Sequence, residues 1–329
     1  MHNLSHTSRA PAVAAARPVP AHPIPAPPKA TLNVIRAQLE AVTQLFNQLV
    51  DAPPAPPVPF QVPPRAQPFK GMGHDIALVH GREAIDLRFA GWPVRDQMGD
   101  DNCIAFSTLA CVEHLLLADA HDKSALSVQF LVDCIKTKTD DPNPGKAYTY
   151  LHFAALALQS CGVLKASQVP YAGGIRRVQV PTPERLNAAT KLNCHYFYRD
   201  RVSATPGHAA NLLYACLATH RRPVAITLPV FFDASSDTSN QTNWSTPAGM
   251  HHGRVHDVGA NATLVGEHAV AVIGYQPETG HFVFRNSFGT RWGTYAPSTL
   301  PGPSAPQAGY GVVSAAYIDA NCGELLQLW

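Results

Sequence analysis

Apolar residues recur every three or four positions in the first half of the globular region and approach alternation toward the C-terminus. Helices are therefore expected before strands. In "DNCIAFSTLACVEHLLLADA" the helical period runs through Ile104, Phe106, Leu109, Val112, Leu116 and Leu117, and Asp101 or Asn102 stands where an N-cap belongs. That places Cys103 in the first turn. "ALSVQFLVDCI" and "AYTYLHFAALALQSCG" read as two further helices, the second closed by Gly162. "PVAITLP", "EHAVAVIGY", "HFVFRNSFG" and "GYGVVSAAYI" are rich in Val, Ile, Phe and Tyr and read as strands. The pattern is that of an α+β chain with helices segregated before strands.

Residues 1–71 break this pattern. Of the 30 prolines, 15 lie in the first 68 residues, in runs such as "RPVPAHPIPAPP" that favour extended, polyproline-like backbone. We read 1–71 as a disordered or semi-rigid arm and 72–329 as the globular domain. Between the proline runs, Leu32, Ile35, Leu39, Val42, Phe46 and Leu49 share one helical face, which predicts an amphipathic helix near 31–50. Its apolar face suits docking on its own domain, on a partner or chaperone, or over the protein's own cleft.

At 329 residues and 46% hydrophobic, the chain can bury a full core. A formal net charge of +2 with 15% charged residues falls far short of a phosphate-binding stripe, which argues against nucleic acid. No run approaches 18 apolar residues, and the first thirty lack the apolar segment of a cleaved secretory signal. Neither a membrane span nor signal-dependent export is expected. The seven cysteines are odd in number, scattered and without a CxxC pair, which suits reduced thiols and a cytoplasmic, reducing compartment. The leader has no acid before Glu40 and carries Arg9 and Arg17, a composition also found in signals for delivery into a host or target cell without a signal peptide.

The chemistry enters through "EHAVAVIGYQPETGHFVFRNSFG". A hairpin centred near Pro277 sets His268 directly opposite Asn286, close enough for the amide to orient the ring. Such an imidazole is one half of a nucleophilic pair, and a thiol in a helix's first turn supplies the other, because unpaired N–H groups there favour thiolate. A Cys103 thiolate beside a His268 imidazolium is the expected resting state. The backbone N–H of Cys103 and the carboxamide of Gln97 are candidate donors to an oxyanion.

The order Gln, Cys, His, Asn and the surrounding words resemble the papain-like cysteine peptidases, and most closely their microbial members in the tail "GYGVVSAAYIDANCGELLQLW". "PVRDQMGDDNCIAFS" is similar to the family's PVxDQGxCGSCWAFS, "LSVQFLVDC" to LSEQxLVDC, "GEHAVAVIGY" to xxHAVxxVGY and "FRNSFGTRWG" to xKNSWGxxWG; the similarity covers roughly residues 84–329. The resemblance implies a helical subdomain and a β-barrel-like subdomain with a cleft between them. It implies peptide or protein substrates and no cofactor. Cys103 would be the nucleophile, His268 the general acid/base, Asn286 its orienter and Gln97 the oxyanion donor. Ala269 would lie beside the pocket for the second side chain before the scissile bond, and Gly145 would match a glycine that lets substrate backbone approach closely. Phe288 stands where a Trp usually shields the Asn/His bond, and Trp292 matches the block's second Trp.

Departures from the family pattern centre on "MGDD", where Asp100 replaces a bridging cysteine; Cys134 matches a half-cystine whose partner is missing from "PYAGGIRRVQV". If buried, Asp100 and Asp101 would oppose thiolate formation. A catalytically inactive or regulated binding protein, and an amidase, deamidase or transpeptidase with the same Cys/His chemistry, are the alternative functions. "MHHGRVHDVG" gathers His251, His252, His256 and Asp257 at spacings that can ligate zinc, but its loop context suits solvated histidines, and no metal site is expected.

Overall fold

A computed structural model describes residues 82–89, 92–173, 177–192, 196–200, 202–204, 207–232, 242–258, 262–293 and 308–329. The proline-rich arm and its helix near 31–50 lie outside the described residues. The first element, β1 (Ile85–Asp86), is followed by helices α1 (Cys103–Ala120), α2 (Val128–Lys138) and α3 (Leu151–Cys161). Then come α4 (Pro183–Ala188), β2 (Tyr196–Arg199), α5 (Ala209–His220), β3 (Val224–Phe232) and α6 (Pro247–His252). The chain ends with β4 (Thr263–Gln276), β5 (His281–Arg285), β6 (Tyr310–Ser314), α7 (Ala315–Asn321) and β7 (Leu325–Leu328).

Helix α1 is the centre of the molecule. Cys103 to Leu115 are buried on every side, where the sequence pattern had suggested one apolar face. A helix surrounded by core must be apolar all round, and α1 packs against α2, α3, β3 and β4 together. Its one buried carboxylate, Glu113, is consequently saturated. It accepts hydrogen bonds from Trp92 Nε1 (3.0 Å), Arg95 (2.6 Å), Arg285 (3.2 Å) and the Leu126 N–H (3.0 Å). α2 starts at Ser127, whose Oγ accepts the Phe130 N–H, and Gly162 closes α3 at φ +79°, a conformation that glycine adopts without strain.

The strands form one antiparallel sheet in the order β2-β7-β3-β4-β5-β6, with β1 added to β4. Helices and strands are less segregated than the periodicity implied, since α5, α6 and α7 interrupt the strands. "GYGVVSAAYI" is strand only as far as Ser314. There the Ser314 Oγ accepts the Tyr317 N–H and starts α7, so a cap overrides the β propensity that follows.

The β4–β5 hairpin turns farther along than expected. Gln276 pairs with His281 and Gly274 with Val283, so the tip falls after Glu278 rather than at Pro277. Carried on unchanged, that register would put His268 and Asn286 on opposite faces, because a one-residue slip reverses every side chain. A bulge between Val272 and Gly274 adds one residue to β4 and restores the parity. Below it the register sets Phe288 opposite His268 and Asn286 two residues away on the same face, a diagonal rather than a direct pair.

Candidate active site

Asn102 occupies the N-cap position of α1 but does not cap it; its Nδ2 donates to Tyr171 Oη at 3.1 Å. Cys103 is the first helical residue, so its own N–H and that of Ile104 have no partner within the helix and point past the terminus. Both favour negative charge on the Cys103 sulfur, as does the N–H of Ala269 in β4. The turn that delivers Gln97 has two consecutive left-handed residues, Met98 (φ 54°) and Gly99 (φ 80°), and is closed by the Asp100 N–H on the Gln97 carbonyl.

Gln97 is gripped at both ends of its amide. Ser287 Oγ donates to Oε1 at 2.6 Å, and Nε2 donates to the Asp100 carbonyl at 2.6 Å. One Nε2 hydrogen remains for an acceptor in the cavity that Gln97 lines with Cys103 and His268.

Asn286 Oδ1 accepts the Ser287 N–H at 2.8 Å and lies 2.7 Å from His268 Nε2. An atom facing a backbone N–H must be the carbonyl oxygen, which can only accept. Nε2 therefore carries the ring proton, leaving the Nδ1 lone pair free to take another. Phe288 stacks on the imidazole (centroids 4.3 Å, 26°), and Trp244 meets it edge-on (5.0 Å, 80°). Trp292 is buried behind them, its Nε1 donating to the Trp244 carbonyl at 2.9 Å.

Burial dominates the electrostatics. Cys103 is 8% exposed and His268 4%. Loss of solvation pushes the thiol up to about 11; the N–H groups of Ala269, Ile104 and Cys103 pull it down, and the Asp101 carboxylate adds a smaller upward push. Desolvation lowers the imidazole to about 4 against the opposing pull of Asn286. In this closed arrangement the neutral thiol and neutral imidazole are favoured, in place of the expected ion pair, because neither charge has water around it. Asp101 itself is exposed.

Two residues suggested by resemblance do not line this cavity. Ala269 is buried against a small void with Phe106, Ser107, Ala110 and Arg285, and contributes its backbone N–H rather than a wall of the cavity. Gly145 lies in the exposed turn after α2 and does not line the cavity. The Lys136 ammonium anchors that loop, on the Asp141 carboxylate (2.5 Å) and the carbonyls of Asn143 and Tyr148. Ser287 and Trp244 were missed. Ser287 was visible as the neighbour of Asn286, but its partner is 190 positions away; Trp244, an aromatic in the polar run "TNWSTP", was the one signal in that segment.

Cys103, Cys111, Cys134, Cys161, Cys216 and Cys322 are all free thiols. Cys134 on α2 has an unforeseen neighbour in Cys161 on α3. Among the described residues no group of three or more His, Cys, Asp or Glu is arranged to hold a metal ion, and no helix is long and apolar enough to cross a membrane.

The arrangement can generate a sulfur nucleophile, move its proton and stabilise an oxyanion. Comparison with known proteins points the same way. Cathepsin 7 of Mus musculus is 29% identical over 228 residues, covering 66% of this chain and 60% of the relative. Cysteine proteinase COT44 of Brassica napus is 27% identical over 202 residues, covering 61% and 53%. The chain thus spans little more than half the length of these relatives. Xylellain, a cysteine protease from Xylella fastidiosa, shares the fold with a TM-score of 0.55 at 19% identity, over 74% of this chain and 85% of that one. The family model described as "Papain family cysteine protease" matches residues 82–296, and the chain belongs to that family.

Proposed function

We propose that this protein hydrolyses peptide bonds as a cysteine peptidase. The observation that carries the reading is the contact of His268 Nε2 with Asn286 Oδ1, an oxygen that already accepts the Ser287 N–H; this assigns the ring proton to Nε2 and leaves Nδ1 as the base in the cavity that the Cys103 thiol also lines. Nδ1 takes the thiol proton as sulfur attacks the substrate carbonyl. A C–S bond forms, and the oxyanion accepts from the Cys103 N–H and the remaining Nε2 hydrogen of Gln97. The imidazolium then protonates the leaving amine as the C–N bond breaks. Water, deprotonated by the same nitrogen, attacks the thioester and releases the acid and the thiol.

The direct test is cleavage of a peptide library by wild type and by Cys103→Ala. Discrete cleavage products that disappear in the variant support the proposal; products that persist in it refute it. One feature favours a regulated variant of this reading, namely the burial of Cys103 and His268, which favours the neutral thiol and imidazole. Labelling with an epoxide or iodoacetamide separates the two, since a regulated enzyme reacts at Cys103 no faster than at Cys111 until substrate or a partner stabilises the thiolate. The acid-poor, proline-rich arm supports delivery into another cell as an effector, and removal of residues 1–30 would abolish export if it carries the signal.

A further inference from the structure

Both oxyanion donors, the Gln97 carboxamide and the Cys103 N–H, belong to one short segment, residues 97–103. Its conformation is not an easy one to hold. Met98 (φ 54°) and Gly99 (φ 80°) are both left-handed, and Met98, Gly99 and Asp101 are exposed, so little packing fixes the turn. A non-glycine residue in that region persists only where its surroundings determine it. At the N-terminal end they do, since the Gln97 N–H donates to the Ser287 carbonyl at 2.8 Å and the Gln97 amide oxygen accepts from Ser287 Oγ. The C-terminal end, Asp100 to Asn102, is held by a different residue.

That residue is Tyr171. Its Oη accepts from Asn102 Nδ2 at 3.1 Å, and lies 3.2 Å from Asp100 Oδ2 and 3.5 Å from the Gln97 carbonyl oxygen. A carboxylate can only accept, so the phenolic hydrogen goes to Asp100. One hydroxyl thus joins the two residues whose backbones set the distance between the donors. The Asp100 carbonyl accepts Gln97 Nε2 at 2.6 Å, and the Asn102 carbonyl accepts the Ala105 and Phe106 N–H groups in the first turn of α1. Tyr171 is itself well anchored. Its ring meets Phe106 edge-on (centroids 5.1 Å, 83°). On either side of it, the Val169 carbonyl accepts Ser127 Oγ at 2.5 Å and the Ala172 N–H donates to Gln129 Oε1 at 3.3 Å, which fastens this segment to the start of α2.

Resting on the peptidase reading above, we propose that Tyr171 is a positioning residue for the oxyanion site: its hydroxyl, acting through Asp100 and Asn102, holds the Gln97 carboxamide and the Cys103 N–H at the separation that a tetrahedral oxyanion needs. Tyr171 does not line the cavity, so its effect reaches the reaction only through residues 97–103. The effect is selective. Negative charge develops on the substrate oxygen only as its carbonyl is attacked, so displaced donors penalise the tetrahedral state and leave ground-state binding nearly untouched. Complete loss of one such donor typically costs about 100- to 1000-fold in rate, so misplacing the pair should cost about tenfold or more in kcat.

Two measurements test this and keep it separable from the peptidase reading. Tyr171→Phe keeps the ring against Phe106 and removes only the hydroxyl. On a fluorogenic peptide, kcat should fall about tenfold or more with KM within about twofold of wild type. Alkylation of Cys103 by iodoacetamide is a displacement at carbon that builds no oxyanion, and its rate should stay within about twofold of wild type. Asp100→Ala should reproduce the loss in kcat, and Asp100→Asn, which retains an acceptor oxygen, should restore most of it. The Tyr171→Phe/Asp100→Ala pair should be no worse than either single variant, because both remove one interaction. The second measurement needs no turnover. In isotope-labelled Cys103→Ala, the side-chain amide NMR signals of Gln97, identified by their absence from Gln97→Glu, should move when Tyr171→Phe is added, whereas those of Gln327, a buried amide bonded to the Cys216 carbonyl, should not. A kcat untouched by Tyr171→Phe overturns the proposal and leaves the peptidase intact. So does a loss shared equally by kcat and the alkylation rate, which would mark a general loosening of the fold. Gln97 signals that move while wild type cleaves nothing support the positioning role and refute the peptidase; Gln97 signals that stay in place overturn the proposal whether or not wild type cleaves.

Discussion

Glu324 offers a quantitative check on how burial sets charge in this fold. Its carboxylate is 4% exposed, beneath β2 and β3. Oε1 accepts from Tyr198 Oη at 2.7 Å and Oε2 from the Leu151 N–H at 3.2 Å. Those donors favour the anion, but desolvation, reinforced by the carboxylates of Asp200 and Glu267, wins and pushes Glu324 from an ordinary 4.5 up to about 7. A raised folded-state value means that the native protein holds this proton more tightly than the unfolded chain does. Stability from Glu324 is therefore fully present below pH 4.5 and is lost as pH rises to about 7, after which it is level. The shift of about 2.5 corresponds to about 3 kcal/mol at 1.36 kcal/mol per pH unit. Glu324→Gln keeps the shape and cannot titrate. Urea unfolding followed by tryptophan fluorescence at pH 4.5 and pH 8, both proteins carrying Cys103→Ala to prevent self-cleavage, reads the effect as a double difference. Relative to the Gln variant, wild type should lose about 3 kcal/mol across that interval, roughly a 1 M change in urea midpoint. A difference between the two proteins that stays constant with pH would refute the reasoning.

Other expected outcomes concern the site and its support. Ser287→Ala frees the Gln97 carboxamide, and the loss of that buried hydrogen bond should lower kcat about tenfold with little change in KM, as steady-state kinetics on a fluorogenic peptide would show. Because burial holds His268 down to about 4, imidazole becomes protonated only near that value, so the acid limb of kcat/KM should fall at about pH 4; a limb at 6.5 would contradict the enclosed geometry. In resting enzyme the rate of Cys103 alkylation, followed by mass spectrometry, should still be climbing at pH 9, since the thiol is pushed up to about 11. Glu113→Ala leaves the buried Arg285 without its counter-charge and should cost about 3–5 kcal/mol in chemical denaturation.

Local order was largely legible in the residues. The period of α1, α2 and α3, the apolar strands β3, β4 and β5, and Cys103 at a helix start all follow from propensity and spacing, which act over a few residues. The bulge that brings Asn286 onto the His268 face was not legible, because "AVAVIGY" pairs as well with one register as the next until both neighbouring strands are in place. The same holds for α1, whose burial on all sides depends on what packs around it.

By itself the sequence determined that an imidazole, a thiol, a carboxamide and an amide exist in an order able to cooperate, and that the thiol stands where a helix leaves N–H groups unpaired. Tertiary structure alone decided which nitrogen of His268 faces Asn286, that Ser287 clamps Gln97, and that Cys103 and His268 are buried deeply enough to favour their neutral forms. Those are consequences of long-range hydrogen bonds and desolvation, which depend on what lies within a few ångströms in space and not on what lies nearby along the chain.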